Sequence, residues 1–110
     1  MSLNEEIIGT TTKIGHLEIA QYDFPEEMDW YNANKICSEL GLGWRLPTIE
    51  ELFEIRENKE VIGGFNKYSY WSFDDESLGR AYFLRFGDGF KGSDDMNEEL
   101  YFVRAVKTTS

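Results

Sequence analysis

Gly43-Trp44-Arg45-Leu46-Pro47-Thr48-Ile49-Glu50-Glu51-Leu52 is the stretch from which the rest of the chain can be read. Thr48-Ile49-Glu50-Glu51 spells a capping box. The Thr48 hydroxyl accepts the Glu51 N–H, and the Glu51 carboxylate reaches back to the N–H of Thr48, so two backbone donors orphaned by a helix start are satisfied. Pro47 lies just ahead of the helix, where it disrupts no helical hydrogen bond. A helix is therefore expected over about residues 49–58, with Leu52, Phe53 and Ile55 on its buried side and Gly63-Gly64 ending whatever remains of it. Trp44 and Leu46 are expected to anchor the core, and Arg45 to hold a carboxylate or carbonyl oxygens.

Upstream, Trp30, Ala33, Cys37 and Leu40 recur at helical spacing, and Ile36 widens the stripe. This predicts a helix over about 29–40, capped by Asp29 and ended by Gly41. Leu17 to Tyr22 alternates apolar and polar, the period of a strand. Residues 1–15, polar and rich in threonine, read as a flexible arm, in which Met1-Ser2-Leu3 has the look of a vector scar. Residues 16–110 read as one domain.

Downstream, three runs suit strands: Tyr68 to Phe73, Arg80 to Phe86, and Leu100 to Lys107. Gly87 to Glu99 reads as a long loop, of a length uncommon unless functional or mobile. Helices grouped before a meander of strands point to an α+β domain, two helices on an antiparallel sheet with the first and last strands paired.

The chain has 110 residues and a net charge of -10, from 21 acidic and 11 basic side chains. Such a surface disfavours nucleic acid, anionic lipid and sulfated glycans, and attracts basic partners or Ca²⁺. One cysteine, Cys37, excludes an intramolecular disulfide and favours a reducing compartment. No run of 18 apolar residues is present, so no membrane insertion is expected. The first residues carry no apolar signal-peptide core.

The quoted stretch is similar to the GWRLPTxxEL signature of the DUF1566 family, also called the Lcl C-terminal domain family. Other matches follow in order: Trp30, Ala33, Cys37 and Leu40 in a helix, Tyr70-Trp71-Ser72, Ala81 to Gly87, and a closing Phe102-Val103-Arg104-Ala105-Val106-Lys107. Together they span about residues 28–107. The resemblance implies a C-type-lectin-like fold and a displayed binding domain, bacterial or phage in origin, as in adhesin heads and phage tropism proteins. Its relatives are often secreted or surface-exposed, against the hint of a reducing compartment. Where this chain has Ala105, the family often has a cysteine that would pair with the one at Cys37. Neither tripeptide set for calcium-dependent sugar binding, Glu-Pro-Asn or Gln-Pro-Asp with Trp-Asn-Asp, occurs.

The function these readings favour is non-catalytic recognition of an unknown protein or glycan ligand, the charge suggesting a basic one, with no cofactor. Candidate ligand-binding residues are Tyr68 and Tyr70 as outward rings, Asp74 and Asp75 in the 74–79 turn, and Asp88, Phe90, Lys91, Asp94 and Asp95 in the 87–99 loop. Trp30, Trp44, Arg45, Leu46, Pro47, Thr48, Glu51 and Trp71 are assigned to structure. Asp74-Asp75-Glu76 and Asp94-Asp95 have oxygen ligands that suit Ca²⁺. Without an EF-hand pattern they read as solvated charge, so no metal site is expected. His16 is the single histidine, too few for an evident zinc site or triad. Formylglycine-generating enzymes share the RLPTxxE likeness and offer an oxidoreductase alternative. They need a longer chain and two reactive cysteines, so no enzymatic activity is expected. A further alternative is a structural or assembly domain of a larger secreted or phage protein.

Overall fold

The computed structural model describes residues 6–41 and 43–109. Helix α1, Trp30–Ser38, starts where Asp29 accepts the Asn32 N–H at 2.8 Å, and it buries Ala33 and Cys37. Helix α2, Ile49–Glu57, carries the capping box in full. The Glu51 N–H donates to the Thr48 hydroxyl at 3.1 Å, and the Thr48 N–H donates to the Glu51 carboxylate at 2.8 Å. A single further turn, α3 (Lys59–Ile62), ends at Gly63.

Among the described residues seven strands form two sheets. Strands β1 (Thr12–Ile14), β2 (Leu17–Ile19), β3 (Trp44–Arg45) and β7 (Val106–Thr108) make a sheet of order β1-β2-β7-β3, antiparallel throughout. The expected pairing of the two ends of the domain is present, with Leu17 opposite Thr108 and Ile19 opposite Val106. Strands β4 (Ser69–Ser77), β5 (Arg80–Arg85) and β6 (Lys91–Asp95) make an antiparallel meander. One apolar cluster gathers Phe24, Cys37, Leu46, Trp71 and Phe83, with α1 against it. The other gathers Ile19, Leu52, Ile55, Tyr70 and Leu84, with α2 against it.

Four sequence expectations are corrected. Residues 6–15 of the supposed arm are built into the domain; residues 1–5 lie outside the described ones. Ile7 is buried, Gln21 and Tyr22 donate to the Ile8 and Ile7 carbonyls, and β1 turns into β2 through Gly15-His16. The polarity of the segment hid Ile7, Ile8 and Ile14, which pack against the two clusters. Within the supposed 87–99 loop, Lys91–Asp95 is a strand. Gly92 is there for packing: a Cβ would come within 2.7 Å of the Phe83 ring on the neighbouring strand. Likewise β4 runs on to Ser77, so the 74–79 segment is mostly strand closed by a tight turn. The last strand is shorter than expected. Tyr101 bridges Met28 and Phe102 bridges Tyr70 before Val106 joins the first sheet, so the 100–105 segment passes between the sheets.

Candidate functional site

The residues singled out for binding gather on and around the meander, but they divide into groups with different work. Tyr68 stays outside. Its ring is 56% exposed and stacks on Phe102, with centroids 6.3 Å apart and an interplanar angle of 19°. The Lys67 ammonium lies 5.7 Å from its centroid. Phe90 is 51% exposed, packs on Phe83 at 6.2 Å, and carries the Arg85 guanidinium 5.0 Å from its centroid. Both rings flank the same end of β5, because Ser69 pairs with Arg85 and the Arg85 N–H donates to the Phe90 carbonyl. Asp88 fixes this turn by accepting from Arg85 at 2.8 and 3.0 Å and from the Phe90 N–H at 3.0 Å. The Arg85 hydrogen bond holds the Asp88 carboxyl at about 2, and Arg85 is raised in turn. Lys91 places its ammonium 4.4 Å from the Tyr82 centroid. Asp75 is exposed on β4, opposite Ala81.

Other candidates serve the fold instead. Tyr70 is fully buried and donates its hydroxyl to Asp23 at 2.5 Å, so it cannot present a face to a ligand. A bulge separates the Trp71 and Asp75 pairings, and before it Ser69 to Ser72 are all buried, because this part of β4 has an apolar cluster on each side. Asp74 accepts the Ile49 N–H at 2.7 Å and so satisfies one of the free donors at the start of α2. Asp94 accepts the Tyr101 hydroxyl at 2.7 Å. Burial and this bond raise the Tyr101 hydroxyl. Asp95 accepts the Asn97 and Glu98 N–H groups of the following turn. Among the described residues no group of three His, Cys, Asp or Glu side chains comes together around a common point.

The residues assigned to structure make the following contacts. Trp30 donates its indole N–H to the Ser72 carbonyl and Trp71 donates to the Met28 carbonyl, each at 2.8 Å, tying α1 and its approach to β4. Trp44, Leu46 and Pro47 are buried. Arg45 forks onto both Glu51 carboxylate oxygens at 2.7 and 2.9 Å and reaches the Leu46 carbonyl and the Thr108 hydroxyl. Burial raises the Cys37 thiol to about 12, which keeps it a protonated, inert core group.

Sequence reasoning missed the polar centre of the molecule. Arg104, 1% exposed, donates to Asp23 at 2.7 Å and to the Ala20 and Gly63 carbonyls at 3.1 to 3.3 Å. Asn66 also reaches Asp23, and the Asn66 N–H donates to the Tyr70 hydroxyl at 3.0 Å. Burial outweighs the Arg104 charge and the Tyr70, Arg104 and Asn66 hydrogen bonds, and it holds the Asp23 carboxyl above its ordinary range. The only signal was Arg104 within the closing motif; nothing in the sequence marked Asp23 as its partner. Beside this network opens a pocket of about 450 Å³ between α3, the 63–67 loop and Gly87. A second pocket, of about 320 Å³, lies between the β1–β2 turn, α2 and Thr108.

Among the solved structures that share this architecture are two examples. One is EMS16, described as an antagonist of the collagen receptor integrin α2β1 (GPIa/IIa), with TM-score 0.66 and 14% identity over 90% of this chain and 97% of that one. The other is botrocetin, with TM-score 0.65 and 10% identity over 92% of this chain and 98% of that one. At these identities the likeness shows the fold alone, and that fold is C-type-lectin-like. No family model and no curated protein matches the sequence.

Proposed function

We propose that the chain is a non-catalytic recognition domain of the DUF1566 type that holds a polypeptide partner at the Arg85 end of its meander, with Tyr68 and Phe90 as anchors. One observation carries the reading: these rings are 56% and 51% exposed, yet each is already held in place, Tyr68 by Phe102 and Phe90 by Phe83 and Arg85. An exposed aromatic ring that is fixed before binding loses little rotamer freedom on contact and offers a large apolar area. Such rings dominate the energetics of protein interfaces. Arg85, Asp88 and Lys91 surround Phe90 with charge that would give the rim its specificity. The ordered motifs from Trp30 to Lys107 support the family reading, and a structural neighbour described as an integrin antagonist supports a protein partner.

Photo-cross-linking tests this. A photo-reactive phenylalanine is placed at position 68, 90 or 22, the last being Tyr22, an exposed ring outside the meander. The same polypeptide should be trapped from positions 68 and 90 and not from 22. Tyr68→Ala and Phe90→Ala should each weaken its binding by about tenfold or more with the fold intact. Different species from 68 and 90, or equal trapping from 22, would remove the proposal.

A further inference from the structure

The two pockets carry opposite charge, in a chain whose net charge is -10. The smaller one is lined by Glu51 and Glu54 beside His16. The larger one is lined by Lys59 and Lys67, with Glu60 their one acidic neighbour on the wall. No ion pair among the described residues engages either lysine.

Part of the wall between the lysines is the backbone of two glycines. Gly63 and Gly64 have φ of 83° and 80°, a conformation that side-chain-bearing residues rarely adopt. A Cβ at Gly63 would meet nothing within 4 Å, so conformation rather than crowding calls for glycine there. The neighbouring N–H groups of Gly63, Asn66, Tyr68 and Gly87 are all bonded within the protein. Those of Gly64, Phe65 and Lys67 have no protein partner among the described residues. The pocket lining therefore brings together two lysines and three residues whose N–H groups are left over by the fold, beside Phe65. Arg104 lies behind that ring, 4.0 Å from its centroid, with its charge already matched by Asp23.

From this lining we infer that the pocket binds a carboxylate, carried by a small organic acid or by the free C-terminus of a peptide. Ammonium and amide donors together form charge-assisted hydrogen bonds to a carboxylate, and backbone N–H groups capture peptide C-termini elsewhere. The volume of about 450 Å³ lies in the range of small-ligand sites. Two lysines against Glu60 leave one net positive charge, which matches a monoanion. A phosphate dianion meets Glu60 and the acidic surface at a greater cost. The inference does not rest on a partner at Tyr68 and Phe90, although Lys67 borders both places, its ammonium lying 5.7 Å from the Tyr68 centroid.

The test is a titration followed through backbone amide resonances, with four probes: sodium acetate, a short Ala-Ala-Gly peptide with free C-terminus, the same peptide amidated, and inorganic phosphate. The free-acid peptide, acetate or both should give saturable shifts at Gly64, Phe65 and Lys67. Acetate alone would identify a small-acid site, and tighter binding of the peptide a C-terminus site. The amidated peptide should give no such shifts, and phosphate should bind more weakly. Lys59→Gln with Lys67→Gln should weaken the affinity by about tenfold or more, and Glu60→Gln should strengthen it. The spectra themselves report whether each variant is folded. Equal binding of the amidated peptide, tighter binding of phosphate, shifts confined to the second pocket, or no saturable shift at low salt would each overturn the inference.

Discussion

Two arginine–carboxylate pairs in this molecule close to the same distance, 2.7 Å, and differ in nearly everything else. Arg45 and Glu51 are six residues apart and keep 32% and 24% of their side chains exposed. Arg104 and Asp23 are 81 residues apart and keep 0% and 15%. The first pair finishes a helix start within one stretch of sequence. The second is completed by Ala20, Gly63, Asn66 and Tyr70, which come from separate parts of the chain. A local, half-wet pair adds little beyond the cap it supports. A buried pair costs much to desolvate, and the penalty appears when one partner is removed.

The contrast is broken most directly at Arg104. Arg104→Met should destabilise the fold by about 3–5 kcal/mol in urea denaturation, because Asp23 is left buried without its counter-charge and the Ala20 and Gly63 carbonyls lose their donor. Adding Asp23→Leu should recover part of that loss. A single-variant cost as small as that of a surface pair would mean that the network is dispensable. Thr48→Ala comes next, at about 0.5–2 kcal/mol for loss of the cap, also read by denaturation. Arg45→Met should cost about 1 kcal/mol or less; a larger value would show that its bonds to Leu46 and Thr108 matter more than exposure suggests.

Acid sharpens the comparison through the sign of each shift. Burial alone would raise the Glu51 carboxyl, but bonds from Arg45 and Thr48 outweigh it and hold it low. Its contribution is therefore present above the unfolded-state value and is lost as pH falls through the lowered one. Asp23 is held high, so its contribution is fully present below the unfolded-state value and is lost as pH rises through the raised one. Stability measured across the acid range should show the wild-type advantage over Glu51→Gln growing with pH, and that over Asp23→Asn shrinking. Parallel trends would contradict the assigned directions.

Elements announced by local chemistry were legible: α1 from Asp29 and its apolar stripe, α2 from Thr48 and Glu51, β4 and β5 from their aromatic and branched residues. Strand β6 was not, since Lys-Gly-Ser-Asp-Asp has none of the usual strand residues and pairs because Phe83 needs the space at Gly92. Of the candidate binding residues, Tyr68 and Phe90, singled out by ring content, are exposed. Tyr70, Asp74 and Asp94 were misread because their partners, Asp23, the Ile49 N–H and Tyr101, are set by tertiary structure. The basic pocket was invisible for a related reason: Lys59 and Lys67 are ordinary surface lysines until the paired glycines fold the backbone between them.

Strand β6 also closes the meander, with β5 on one side and no named strand on the other. An edge strand is in general a template on which a second copy of a chain can add its own strand. Here a slip of one residue would drive the Lys91 or Ser93 side chain into the space that only Gly92 leaves for the Phe83 ring. A copy arriving edge to edge would bring the Asp94-Asp95 end of one strand into a field already made negative by a net charge of -10 on each molecule. The glycine fixes the strand in one register and the aspartates repel a neighbour, so the edge resists the stacking that leads to aggregates.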